Sequence, residues 1–169
     1  MYQRILVPID GSATSQRGLE EAIKLSKLTG AGLRLVHAAD ALTFATGFEP
    51  YGVYQDQVIP WMREVGNRIL KEGESLAHAA GVNVDSVLLE DMALPVADTV
   101  IAQAKAWNAD LIVIGTHGRR GVGRWLLGSD AEQIARKASV PVLLVRGLEP
   151  DVKAESPPVP PVTGSPSDS

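Results

Sequence analysis

The sequence predicts a doubly wound α/β fold: a five-stranded parallel sheet in the order 3-2-1-4-5, with helices on both faces. Three observations predict it. Apolar runs of Val, Ile and Leu recur five times, in "QRILVPI", "GLRLVHAA", "VDSVLLE", "DLIVIG" and "PVLLVR". Most are too continuous for a strand with one wet face, so the sheet is expected to be covered on both sides. Helical patterns alternate with these runs, and right-handed crossovers then give a parallel, doubly wound sheet. Its switch point falls between strands 1 and 4, and ligands bind beyond the carboxyl ends of the strands at such a point.

Each element has its own signal. "QRILVPI" (residues 3–9) ends in "DGS", a turn, and reads as strand 1. From Ser12 to Leu28, Leu19, Ala22, Ile23 and Leu25 recur at helical spacing, and Gly30 stops the helix. Residues 32–39 form strand 2. Residues 40–54 combine turn formers and aromatics without periodicity and read as a loop. A long helix runs from about Gln57 to Ala80, with Ile59, Met62, Val65, Ile69 and Leu76 on one face and Pro60 in its first turn. Gly81 ends it. Residues 84–90 are strand 3. Pro95 opens a helix reaching Trp107, with Val96, Val100, Ile101 and Ala104 inward. "DLIVIG" is strand 4, "SDAEQIARKA" a helix and "PVLLVR" strand 5. Residues 1–148 make one domain. Residues 149–169, including "ESPPVPPVTGSPSDS", cannot build a core and are expected to be a disordered tail.

Composition narrows the function classes. A net charge of −4 gives no reason to expect nucleic acid as a partner. The chain has no cysteine, which excludes disulfides, thiolate metal sites and thiol catalysis. The start, "MYQRILVPID", is too short an apolar run for a signal peptide, and no stretch approaches the ~18 apolar residues of a membrane span. The expectation is a soluble, cytoplasmic protein with no membrane partner.

The chemistry concentrates after strand 4, in "GTHGRRGVGRWLLGSD". Glycines at 115, 118, 121, 123 and 128 let backbone N–H groups face a concavity. The helix then opens at Ser129 with Glu132 three residues on, a capping-box spacing. Its N-terminus suits an anion, and Arg119, Arg120 and Arg124 can add charge-assisted bonds. The loop is not a Walker A motif, because it lacks Gly-Lys-Ser/Thr, nor is it G-x-G-x-x-G after strand 1. Asp10, after strand 1, faces the same crevice. It can accept from ribose hydroxyls or simply form a turn with Gly11 and Ser12. His37 reads as a packed or backbone-bonded histidine, His117 as an exposed loop residue able to touch phosphate, and His78 as functionless. The three show no metal-ligand spacing. Trp61, Trp107 and Trp125 are expected to pack against the core or an interface.

Gly115-x-x-Gly118, nine residues, then Gly128-Ser129 resembles the ATP-binding signature of the universal stress protein family. The flanking "RILVPIDGS", "VH", "ADLIVIGTHGR" and "LLGSDAEQIARKASVPVLLV" extend the resemblance over about residues 2–146. It implies that Asp10 bonds ribose or adenine, and that Pro8, Ile9 and Ala38 line the adenine pocket, Ala38 mainly through its backbone. It implies Gly115 under the ribose. Gly118, Gly128, Ser129 and the N–H of Asp130 would hold the phosphates, which carry Mg²⁺. Position 130 is often small or apolar in the family, whereas here it is Asp. The function this implies is an ATP-binding stress-response sensor or adaptor read by an unknown protein partner. A slow ATPase or phosphotransferase, with Asp130 and His117 as local candidates, and a nucleotide-independent dimeric scaffold or chaperone are the alternatives. Strand 5 should lie at a sheet edge, and an uncovered Val-Leu-Leu-Val edge predicts a homodimer through Val140 to Val145.

Overall fold

The structure is a computed structural model, and it describes residues 1–38, 59–91, 94–116 and 127–147. The elements in chain order are β1 (Arg4–Pro8), α1 (Ala13–Thr29), β2 (Gly32–Ala38), α2 (Ile59–Ala79), β3 (Val84–Leu89), α3 (Val96–Trp107), β4 (Leu111–Gly115), α4 (Ser129–Lys137) and β5 (Val142–Val145). The strands form one sheet in the order β3-β2-β1-β4-β5, and every pairing is parallel. The topology is the expected one.

Burial on both faces explains the apolar runs. Ile5 and Val7 of β1 point into a core shared with α1 and α2, together with Leu33, Leu35, Leu111 and Val113. Leu6, between them, points the other way, into a core with Val36, Ile112, Ile114 and the inner residues of α3 and α4. Alternation along a strand thus fills two cores rather than one core and solvent.

The helix ends follow local chemistry. Ser12 caps α1 by accepting from Ser15 N–H (3.1 Å), and Gly30 closes it at φ 76° with its N–H on Ser26 O. Gly81, at φ 75°, follows α2. Asn108 ends α3 in the left-handed region, which asparagine tolerates better than most residues.

Helix α2 departs from the expected face. Its buried residues are Met62, Gly66, Ile69, Leu70, Gly73 and Ala77, while Leu76 is 38% exposed and Val65 only half-buried. The buried stripe centres on residues with little or no side chain. A Cβ on Gly73 would stand 2.8 Å from Leu35 Cδ1 and 2.9 Å from Ile9 Cδ1. The helix lies too close to the sheet there for a larger residue, and the leucine falls on the flank. Trp107 packs beneath Arg34, whose guanidinium carbon is 4.7 Å from the ring centroid. Hydrogen bonds from Arg34 to Asp85 (2.5 and 2.7 Å) raise the guanidinium further above its ordinary value, although burial acts in the opposite direction. Trp61 is 47% exposed, so it is not a core residue.

Candidate functional site

The carboxyl ends of β1 and β4 adjoin at the switch point. On the β1 side the sequence Asp10-Gly11-Ser12 folds into a turn. Ser12 N–H donates to Asp10 Oδ1 (2.9 Å), and Gly11 supplies the positive φ of 78°. Asp10 N–H in turn donates to Ser15 Oγ (3.3 Å), tying the turn to the first turn of α1. The turn expected for Asp10 is therefore present, and the side chain is half-buried. Ile9 is buried, with its side chain in the core that α1 and α2 share. Pro8 and Ala38 are half-buried. His37 is buried and bonded to backbone, its Nδ1 2.7 Å from Ile9 O, as the sequence led us to expect.

On the β4 side the geometry turns on Thr116. Its N–H donates to Val145 O (2.8 Å), and its carbonyl accepts from Gly128 N–H (2.7 Å). The second bond pins the start of α4 to the end of β4, bringing Gly115 and Gly128 to one place although twelve residues separate them in sequence. Thr116 is buried, and hydropathy does not single it out. The same bond corrects two details. Gly128, not Ser129, is the cap of α4, and no side chain caps it, so the capping box between Ser129 and Glu132 does not form. Glu132 N–H instead makes the first helical bond to Gly128 O (2.9 Å). Because Gly128 N–H is already used by Thr116, the donors of this helix end begin with Ser129. Ser129 and Asp130 are exposed in the first turn.

Gly115 has a structural task of its own. A Cβ there would lie 2.6 Å from Thr14 O and 2.8 Å from Thr14 C. The first turn of α1 thus rests directly on the end of β4. Gly147, just beyond β5, meets the same residue, since a Cβ on it would stand 3.0 Å from Thr14 Oγ1. His117, Gly118, Arg119, Arg120, Arg124 and Trp125 lie outside the described residues, as do residues 149–169. A cleft of about 290 Å³ lined by Ile101, Lys105, Asn108 and Val140 opens at the amino ends of β4 and β5, away from the switch point. Among the described residues no three His, Asp or Glu converge on a metal position, and no helix is long and apolar enough to cross a membrane.

A five-stranded parallel sheet in the order 3-2-1-4-5, with helices on both faces, defines a doubly wound α/β domain. The chain belongs to the universal stress protein family, whose model matches residues 1–146. A universal stress protein of Methanocaldococcus jannaschii is 32% identical over 146 residues, covering 86% of this chain and 83% of that protein. Among solved structures, a universal stress protein family member from Burkholderia pseudomallei superposes with a TM-score of 0.68 at 30% identity, over 85% of this chain and 96% of its own. A universal stress protein solved in complex with cAMP superposes at 0.61 with 25% identity, over 86% of this chain and 97% of its own.

Proposed function

We propose that this chain binds an adenine nucleotide, ATP with Mg²⁺ on its phosphates, and acts as a nucleotide-dependent sensor or adaptor in a stress response. The observation that carries the reading is the bond from Gly128 N–H to Thr116 O at the switch point. It sets the anion-favouring end of α4 beside the end of β4, with Asp10 on the opposite side. Ribose hydroxyls can donate to Asp10, and phosphate oxygens can accept from Ser129 N–H and its successors at the helix end. Asp130 in the first turn of α4 is a hard oxygen donor of the kind Mg²⁺ takes. Its charge repels phosphates unless it turns away, toward solvent or an arginine, or meets them through such a cation. The relative in complex with cAMP supports the choice of adenine. Gly118 and Arg119 belong to the same reading, as further phosphate contacts, together with His117.

Calorimetry with MgATP on the purified chain tests this directly. Binding at micromolar or weaker affinity is expected, and Gly118→Val should abolish it while circular dichroism stays native, because in this reading the added side chain takes space that the phosphates need. No heat and no thermal shift at millimolar MgATP would refute the reading.

Asp10 serves two masters, and two variants separate them. Asp10→Asn keeps an oxygen for Ser12 N–H but loses the charge. ATP affinity is expected to fall roughly ten- to hundredfold, the loss of a charge-assisted bond of ~1.5–3 kcal/mol, at nearly unchanged ligand-free stability. Asp10→Ala should add a loss of stability from the broken turn. If Asp10→Asn bound ATP like the unaltered chain, Asp10 would be a turn former only.

The exposed edge of β5 supports a second part of the proposal, a homodimer through Val140 to Val145. Leu143 and Leu144 are 39% and 37% exposed on that edge, and an apolar edge of this kind is a hazard unless paired.

A further inference from the structure

The chain leaving β1 is held at three successive backbone groups. Ile9 N–H donates to Val36 O (2.9 Å), Ile9 O accepts from His37 Nδ1 (2.7 Å), and Asp10 N–H donates to Ser15 Oγ (3.3 Å). The second bond breaks the pattern of the sheet. Along β2 the backbone groups of even-numbered residues face β1, since Gly32 N–H donates to Gln3 O and Val36 O accepts from Ile9 N–H. Those of odd-numbered residues face β3, as Leu33 N–H on Asn83 O shows. In a regular parallel ladder the next bond would run from Ala38 N–H to Ile9 O. Among the described residues it is not made. The imidazole takes that carbonyl instead. A carbonyl only accepts, so Nδ1 carries the proton.

We propose that His37 is a positioning residue that sets the base preference of the crevice: by holding the Ile9 carbonyl it ends the β1–β2 ladder one bond early and leaves the Ala38 N–H as a donor for N1 of adenine. The Watson–Crick edge of adenine offers an acceptor at N1 beside an amino donor. Guanine offers a donor at N1 beside a carbonyl, so the same N–H that welcomes adenine is set against a guanine N–H. The inference rests on the adenine-nucleotide reading above. Helix α2 is built around the ring. Gly66 is a poor helix-interior residue, yet a Cβ there would stand 2.9 Å from His37 Cδ2 and 2.6 Å from Leu88 Cδ1. The imidazole edge occupies the space that any larger residue at 66 would take.

The test is the ratio of ATP to GTP affinity, measured by calorimetry on the full chain and its variants. His37→Leu fills the ring volume without a donor. Ile9 O should then recover the Ala38 N–H, and ATP binding should weaken about tenfold while GTP binding holds, so that the preference collapses. His37→Asn can place an amide N–H near the Nδ1 position and should restore much of the preference. Gly66→Ala should lower the ratio by displacing the ring, and it carries the test if the leucine variant does not fold. A folded His37→Leu or Gly66→Ala protein with an unchanged ratio overturns the proposal. So does equal weakening of both nucleotides, which would mark His37 as structural only. An unaltered chain that binds no ATP at all would instead overturn the function proposed above, a result distinguishable from either.

Discussion

Gly115→Val is expected to destabilise the fold by about 3 kcal/mol or more, before any ligand is considered. The new Cβ would sit 2.6 Å from Thr14 O, a backbone atom that cannot rotate away. Gly18 adds to the constraint, since the space at its own Cβ position is bounded by Gly115 N at 3.2 Å. Relief requires moving α1 off β4, which opens the core under Leu19 and Ile23. A fall in Tm of roughly 10 °C would accompany such a loss in a domain of this size. A control locates the clash. Adding Thr14→Ala removes the methyl that stands 2.9 Å away but leaves the carbonyl, so it should not rescue the variant. Rescue would show that the side chain, not the backbone, sets the limit. The first glycine of the loop is thus demanded by packing, and a binding defect on replacing it says nothing about ribose unless stability is measured alongside.

The second large effect concerns assembly. Pro141 O accepts from Ile112 N–H (3.0 Å) and Val145 O from Thr116 N–H (2.8 Å), so odd-numbered backbone groups of β5 face β4. The N–H groups of Val142 and Leu144 accordingly point away from β4, at the outer edge of the sheet among the described residues. Val142→Pro removes one outward donor, leaves the β4 ladder untouched and changes apolarity little. In an antiparallel pair across a two-fold axis each copy loses its donor. The dimer should weaken by ~2–6 kcal/mol, a thirtyfold or greater rise in its dissociation constant. Sedimentation velocity at micromolar concentration should show a dimer for the unaltered chain and a monomer for the variant. A monomer in the first measurement refutes the dimer, and a dimer in both places the interface elsewhere.

The sheet order was legible because five apolar runs and the helices between them leave few ways to bury both faces. The helix ends at Ser12, Gly30 and Gly81 were legible because capping is local chemistry. What escaped is what side-chain hydropathy does not encode. The buried stripe of α2 centres on Gly66, Gly73 and Ala77, so weighting by large apolar residues moved the face toward Leu76. The start of α4 is set by Thr116 holding Gly128 from across the loop, a tertiary bond that overrides the Ser129–Glu132 spacing. Asp10, read as turn former or ribose acceptor, does form the turn. Histidine 37 was legible as a bonded core residue, but its consequence depends on which β2 groups face β1, and that is a property of register.

The pairing of β1 with β4 has a bearing on how the molecule is made. Ile5 aligns with Leu111, on opposite halves of the chain, whereas β1 reaches β2 across a single helix. During synthesis the N-terminal strands can assemble early, but the crevice has no second wall until β4 emerges and docks beside β1. Contacts this distant in sequence slow folding. A nucleotide held between those two strands would find no site on a half-made chain, and so would stabilise only the finished one. Ligand occupancy would then act as a quality mark: it tightens the seam that joins the two halves of the chain, leaving proteases to clear copies in which that seam never closed.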